Sequence, residues 1–214
     1  MDVPPAIIGL MVVTAVAVAW LIYYYLKNRK VGTDTQRILS DRDLLQRLSR
    51  EPDGFLTPDR LSKTSQLTKS QARIRLQKLS MAGMVDQAYN KRLKAHYSLR
   101  HPIAEREQPV LSSDPFLTVE DLLTIFELYD YRPRDQDLIM STGLPLALIR
   151  REMKYFSGAG IVDILHMSEG YGKQSQRIYV LVEPYRSRPE EFRSLADRCD
   201  LELRTLLRND NFIV

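Results

Sequence analysis

Leu67–Asp86, LTKSQARIRLQKLSMAGMVD, lies over Leu144–Asp163, LPLALIRREMKYFSGAGIVD, without a gap at an offset of 77 residues. Seven positions are identical, among them Arg73 with Arg150, Ser80 with Ser157, Gly83 with Gly160 and Asp86 with Asp163. Asp43-Leu44-Leu45 upstream matches Asp121-Leu122-Leu123, and Tyr97 and Leu99 downstream match Tyr179 and Leu181. Three blocks in one order predict two copies of one structural unit, with the small drifts in offset falling in loops.

Each copy carries the same local signals. In the first, Ser40 or Asp41 caps a helix that turns Leu44, Leu45 and Leu48 inward, and Thr57-Pro58 opens a short second helix containing Leu61. Thr68 caps a third, on which Ala72, Leu76 and Leu79 recur at i, i+4 and i+7, and Gly83 ends it where a left-handed residue is needed. Met84–Ala88 and Ala95–Leu99 alternate around the polar turn Tyr89-Asn90-Lys91-Arg92, the pattern of a hairpin.

Three helices followed by a hairpin is the order of a winged helix. Leu76–Val85 and its repeat Met153–Val162 resemble the end of the recognition helix and the first wing strand of the MarR-like and ArsR-like winged helix-turn-helix families. The resemblance covers roughly 70 residues per copy and implies a nucleic-acid-binding or protein-binding module; the fold does not choose between them.

The remaining segments complete the predicted organisation. Residues 6–26, AIIGLMVVTAVAVAWLIYYYL, hold no charge over 21 positions, about 31 Å as a helix, the length of a membrane span. Trp20, Tyr23, Tyr24 and Tyr25 sit at one end as an aromatic belt, followed by Lys27, Arg29 and Lys30, which places the N-terminus outside and the remainder in the cytoplasm. A cleaved signal would carry its basic residues before the apolar run, not after it. The expected architecture is mainly α with small hairpin wings: a single transmembrane anchor (1–30), a short linker (31–39), a first winged helix (40–100), a linker (101–115), a second winged helix (116–185), and a C-terminal helix and tail (186–214). On that last helix Phe192, Leu195, Cys199, Leu203 and Leu206 form a stripe, packing on its own domain or pairing with a second chain.

Charge divides the copies. Residues 33–101 carry 14 basic and 7 acidic side chains, and residues 102–185 carry 8 and 13. With Ala72, Leu76 and Leu79 buried, the outward side of the first copy's third helix carries Ser70, Gln71, Arg73, Ile74, Gln77 and Lys78, and the nucleic-acid-binding candidates are Lys69, Ser70, Gln71, Arg73, Arg75, Gln77 and Lys78, with Lys91, Arg92 and Lys94 on the wing. Arg73 suits a guanine edge, Gln71 or Gln77 an adenine edge, and Lys69, Lys78 and Arg75 the phosphates. The alternative is an ordinary solvated helix face. In the second copy Ala147, Leu148, Arg150, Arg151, Lys154 and Tyr155 face outward, but Glu120, Asp121, Glu127, Asp130, Asp135 and Asp137 would repel phosphate, so a protein partner or homodimer is expected there.

One cysteine and three scattered histidines give no disulfide framework and no metal-ligand spacing. No nucleophile and base pairing or phosphate loop is present, so no catalytic residues, cofactor or enzyme activity are expected. The function read from the sequence is a membrane-anchored protein binding double-stranded DNA, as transcription regulator or tether; the alternative is a membrane scaffold for other proteins, its basic cluster facing anionic lipid.

Overall fold

The computed structural model describes residues 35–103, 106, 108–112, 117–168 and 174–195, with Val16, Val18 and Trp20. Its first half begins with α1 (Asp41–Arg50), capped by Ser40, whose Oγ accepts from the Asp43 N–H at 3.0 Å. Next come α2 (Pro58–Thr64), with Thr57 as cap and Pro58 in the first turn, and α3 (Lys69–Met81). A reciprocal capping box of Thr68 and Gln71 starts α3, and Gly83, at φ +81°, turns the chain out of it. β1 (Val85–Tyr89) and β2 (Ala95–Leu99) pair antiparallel, Gln87 opposite Tyr97. Leu56 adds a third, one-residue bridge to Tyr97.

The second half repeats the order: α4 (Val119–Leu128), α5 (Asp135–Thr142), α6 (Leu146–Gly158), then β3 (Val162–Met167) antiparallel to β4 (Gln176–Leu181). Here the bridge is thinner. Tyr179 N–H donates to Pro133 O at 2.9 Å, but Pro133, at the place of Leu56, has no N–H to return.

One apolar core runs through both halves. Leu44, Leu45, Leu61, Leu76 and Tyr97 are fully buried in the first, and Leu122, Ile125, Phe126, Ile149, Phe156 and Tyr179 in the second. Each such side chain contributes about 1.5–3 kcal/mol relative to exposure. The helical residues 189–195 close the second half: Phe192 is buried and tilts against Phe156 and Tyr185 at 6.5 and 6.3 Å between ring centroids. That part of the predicted C-terminal stripe therefore packs on its own unit; Cys199, Leu203 and Leu206 lie outside the described residues.

Two expectations are corrected. The described residues are mixed α/β, 49% helix and 16% strand, rather than mainly α with a membrane anchor. Two strand pairs extended by bridges form small sheets that supply core residues such as Val85, Tyr97, Val162 and Tyr179. No helix among the described residues is long and apolar enough to cross a membrane. The two longest of them, α3 and α6, have 13 residues each, about 20 Å at 1.5 Å per residue against roughly 30 Å of hydrocarbon. The single-pass span, and the outside N-terminus and cytoplasmic body inferred from it, are thus not supported. Most of 6–26, with Tyr23, Tyr24, Tyr25, Lys27, Arg29 and Lys30, lies outside the described residues, while Trp20 is helical and exposed.

The halves are locked together by polar contacts. Asp41, buried at the start of α1, accepts from Arg75 Nη2 at 2.7 Å with one oxygen and from the Leu146 N–H at 3.0 Å with the other. Arg100 pairs with Asp86 at 2.8 Å and donates across to Gln174 O at 2.6 Å. The His101 ring meets Gln176 Oε1 at 2.9 Å, and Gln136 Nε2 donates to His101 O at 3.2 Å. The residues joining the halves are anchored too: Ser112 hydrogen-bonds Asp121 through its N–H and its Oγ at 2.7 and 2.6 Å.

Glu152 stands apart from this pairing. It is 1% exposed on α6, and burial pushes its carboxyl up to about 7; the Leu117 amide and the Arg151 charge offset only part of that. The folded state therefore keeps this proton to higher pH than the unfolded chain, whose glutamate titrates near 4.5. Its contribution to stability should fall as pH rises from about 4.5 to about 7 and stay level above, by up to about 3 kcal/mol. Melting temperatures of the wild type and Glu152→Gln between pH 4.5 and 8 check this. The variant should gain most at pH 8 and flatten the profile.

Candidate nucleic-acid interface

The face predicted to meet nucleic acid is built on α3 and the β1–β2 hairpin, and its residues part company. Arg73, Gln77 and Lys78 are exposed on one side of α3, and Lys91, Arg92 and Lys94 are exposed at the hairpin tip. Ser70 is exposed in the first turn. Lys69 is ion-paired with Asp59 at 2.7 Å, which holds that carboxyl below its ordinary range. Gln71 has its Oε1 engaged by the Thr68 N–H at 2.9 Å as part of the cap, so this oxygen is occupied in place.

Arg75 is the clearest departure. It is 1% exposed and donates to Asp41, Leu39 O and Gln36 Oε1 at 2.7, 2.9 and 2.6 Å. Its guanidinium is a structural cation and does not reach a phosphate. The signal is present in the helical spacing: Arg75 stands three residues after Ala72 and four before Leu79, on the stripe that both bury.

Arg73 and its repeat counterpart Arg150 have opposite surroundings. Arg150 donates to Asp135 Oδ2 through Nε at 3.0 Å and Nη2 at 2.6 Å, and Nη2 also reaches Ala82 O at 3.4 Å across the interface. The Tyr179 hydroxyl donates to the other oxygen of Asp135 at 2.6 Å. Burial, reinforced by that carboxylate, pushes the Tyr179 phenol far above its ordinary value. Asp135 is the first residue of α5; the first residue of α2, at the same place in the repeat, is Pro58. Without an acid there, Arg73 remains exposed, and Tyr97, the counterpart of Tyr179, is hydrogen-bonded by Gln87 Nε2 at 3.1 Å instead. Burial raises the Tyr97 phenol while the Arg73 charge pulls it the other way.

Between α3, the start of α2 and the hairpin tip lies an open groove of about 530 Å³, lined in part by Thr57, Lys69, Arg73, Leu93, Lys94 and His96. Arg73 and Lys94 line it with no ion pair among the described residues, Lys69 is paired with Asp59 within it, and Lys78, Lys91 and Arg92 are exposed on the same helix and hairpin. In the second half Arg150 is locked, and among the described residues its hairpin exposes Leu165 and Met167.

No family model, curated protein or solved structure matches this chain. The resemblance to the winged helix-turn-helix families and the DNA binding it implied thus have no relative behind them, and any functional reading rests on the geometry of these side chains.

Proposed function

We propose that the protein binds duplex nucleic acid through α3 and the β1–β2 hairpin, with the second half fixed behind it as a rigid support and protein-contact surface. The observation that carries this reading is the exposed Arg73, whose repeat counterpart is neutralised by Asp135 while Pro58 leaves Arg73 without that acid. An exposed arginine and Lys94 in one groove, with Lys78, Lys91 and Arg92 exposed on the same two elements and none of the five ion-paired among the described residues, are suited to displace counterions from a phosphate backbone. Fixing the modules through Asp41 and Arg100 keeps the acidic second half from swinging over that face.

Five neutralised phosphates would give a slope of about −4.5 for log K against log salt concentration, measured by fluorescence anisotropy of a labelled duplex with the full chain. Arg73→Glu should weaken binding by about 1–3 kcal/mol and make the slope shallower. Pro58→Asp is the sharper test. It copies the second half's acid into the first, where the Thr57 cap and helix dipole accept it, and should weaken binding through Arg73 with the fold intact. Salt-independent binding, or equal affinity of wild type and both variants, would remove the reading.

A further inference from the structure

The hairpin tip holds a residue that the fold does not require. Leu93 has φ +56° and is 83% exposed. A left-handed backbone suits glycine or asparagine and disfavours leucine. The turn imposes it: Asn90 N–H donates to Lys94 O and Leu93 N–H to Asn90 O at 3.1 and 2.9 Å, while Asn90 Oδ1 accepts from the Arg92 and Lys94 N–H groups at 2.9 and 3.0 Å. Four hydrogen bonds hold a large apolar side chain out in water at a cost to stability. Strain kept at an exposed position points to function.

Its surroundings indicate the target. Lys91, Arg92 and Lys94 flank it, all exposed, and Leu93 lines the same groove as Arg73 and Lys69. A phosphate backbone drawn into that groove would bring the adjacent face of the duplex against the tip. We infer that Leu93 is a wedge: it enters the neighbouring minor groove between base pairs, unstacks them and bends the duplex, while the three cations hold the flanking phosphates. Proteins that bend DNA use apolar side chains in this way, and the larger protein surface that a bent duplex covers offsets the unstacking. This inference rests on the reading of the groove as a nucleic-acid interface and adds a deformation to it.

The test uses the full chain and a duplex of about 30 base pairs carrying a fluorophore at each end, so that energy transfer reports bending and anisotropy reports affinity. Leu93→Gly should raise the melting temperature by removing the left-handed strain, yet weaken duplex binding about tenfold and abolish the energy-transfer change. Leu93→Met, which keeps apolar length, should retain both. The wedge is overturned if Leu93→Gly bends the duplex like wild type while Arg73→Glu loses affinity, an outcome that leaves the interface standing. It is equally overturned if the glycine variant is no more stable than wild type, or if anionic vesicles and not duplex lose affinity on the substitution. Absence of duplex binding by the wild type removes both readings together.

Discussion

Asp41→Ala is expected to lower the free energy of unfolding by about 3–5 kcal/mol, because it leaves a buried guanidinium without its counter-ion. Arg75 and Asp41 are 1% and 3% exposed at their side chains and 2.7 Å apart. Burial already pulls the guanidinium below its ordinary range, opposed by Asp41. The same carboxylate accepts from the Leu146 N–H at the start of α6, so the substitution also removes a bond between the halves. Asp41→Asn separates the two contributions: its amide oxygen still accepts from one donor, and the loss should be smaller. Chemical denaturation of the two variants measures both, and an Asp41→Ala chain as stable as wild type would mean that the pair is not holding the fold.

The second large effect is expected at Gly83. Its φ of +81° already disfavours any side chain, and a Cβ there would stand 2.7 Å from Ser175 O and 3.1 Å from Ser175 C, in the backbone leading into β4. Gly160, its repeat counterpart, has φ +73° with nothing within 4 Å of the same position. Gly160→Ala should therefore cost only the left-handed backbone term, about 1–2 kcal/mol. Gly83→Ala should cost that and displace the second half, because the obstructing atoms are backbone and cannot rotate away. Arg100 would lose its bond to Gln174 O, one residue before Ser175. Denaturation of the pair, with hydrogen exchange across β4, checks this. Equal losses at the two glycines would show that the approach of Ser175 does not hold the halves together.

These positions show where a linear reading stops. Ser40, Thr57, Thr68 and Gly83 announce helix ends because caps and left-handed stops are chemistry of adjacent residues. The hairpins announce themselves by alternation, and the repeat by identity of pattern. The exposed cations at the tip are legible too, since a turn projects its side chains. Arg75 reads as a phosphate contact although its spacing puts it on the buried stripe, because a charge is ordinarily excluded from a core unless it is paired. Its partner, Asp41, is 34 residues away. Gln71 gives an acceptor to the capping box, a use visible in the local pattern Thr68-x-x-Gln71 that competes with base contact for the same oxygen.

By itself the sequence determined local conformation, the two-fold repetition and the uneven distribution of charge, all of which depend on neighbours along the chain. Which of two aligned arginines is locked and which is exposed was decided only in three dimensions. Asp135 meets Arg150 15 residues on and Tyr179 44 residues on, whereas Pro58 offers Arg73 no carboxylate. The closure of the two halves through Asp41, Gly83 and Arg100 was likewise a property of the tertiary structure. The Arg100 and Asp41 bonds span 74 and 105 residues, and no local preference of the backbone encodes a contact between groups that folding alone brings together.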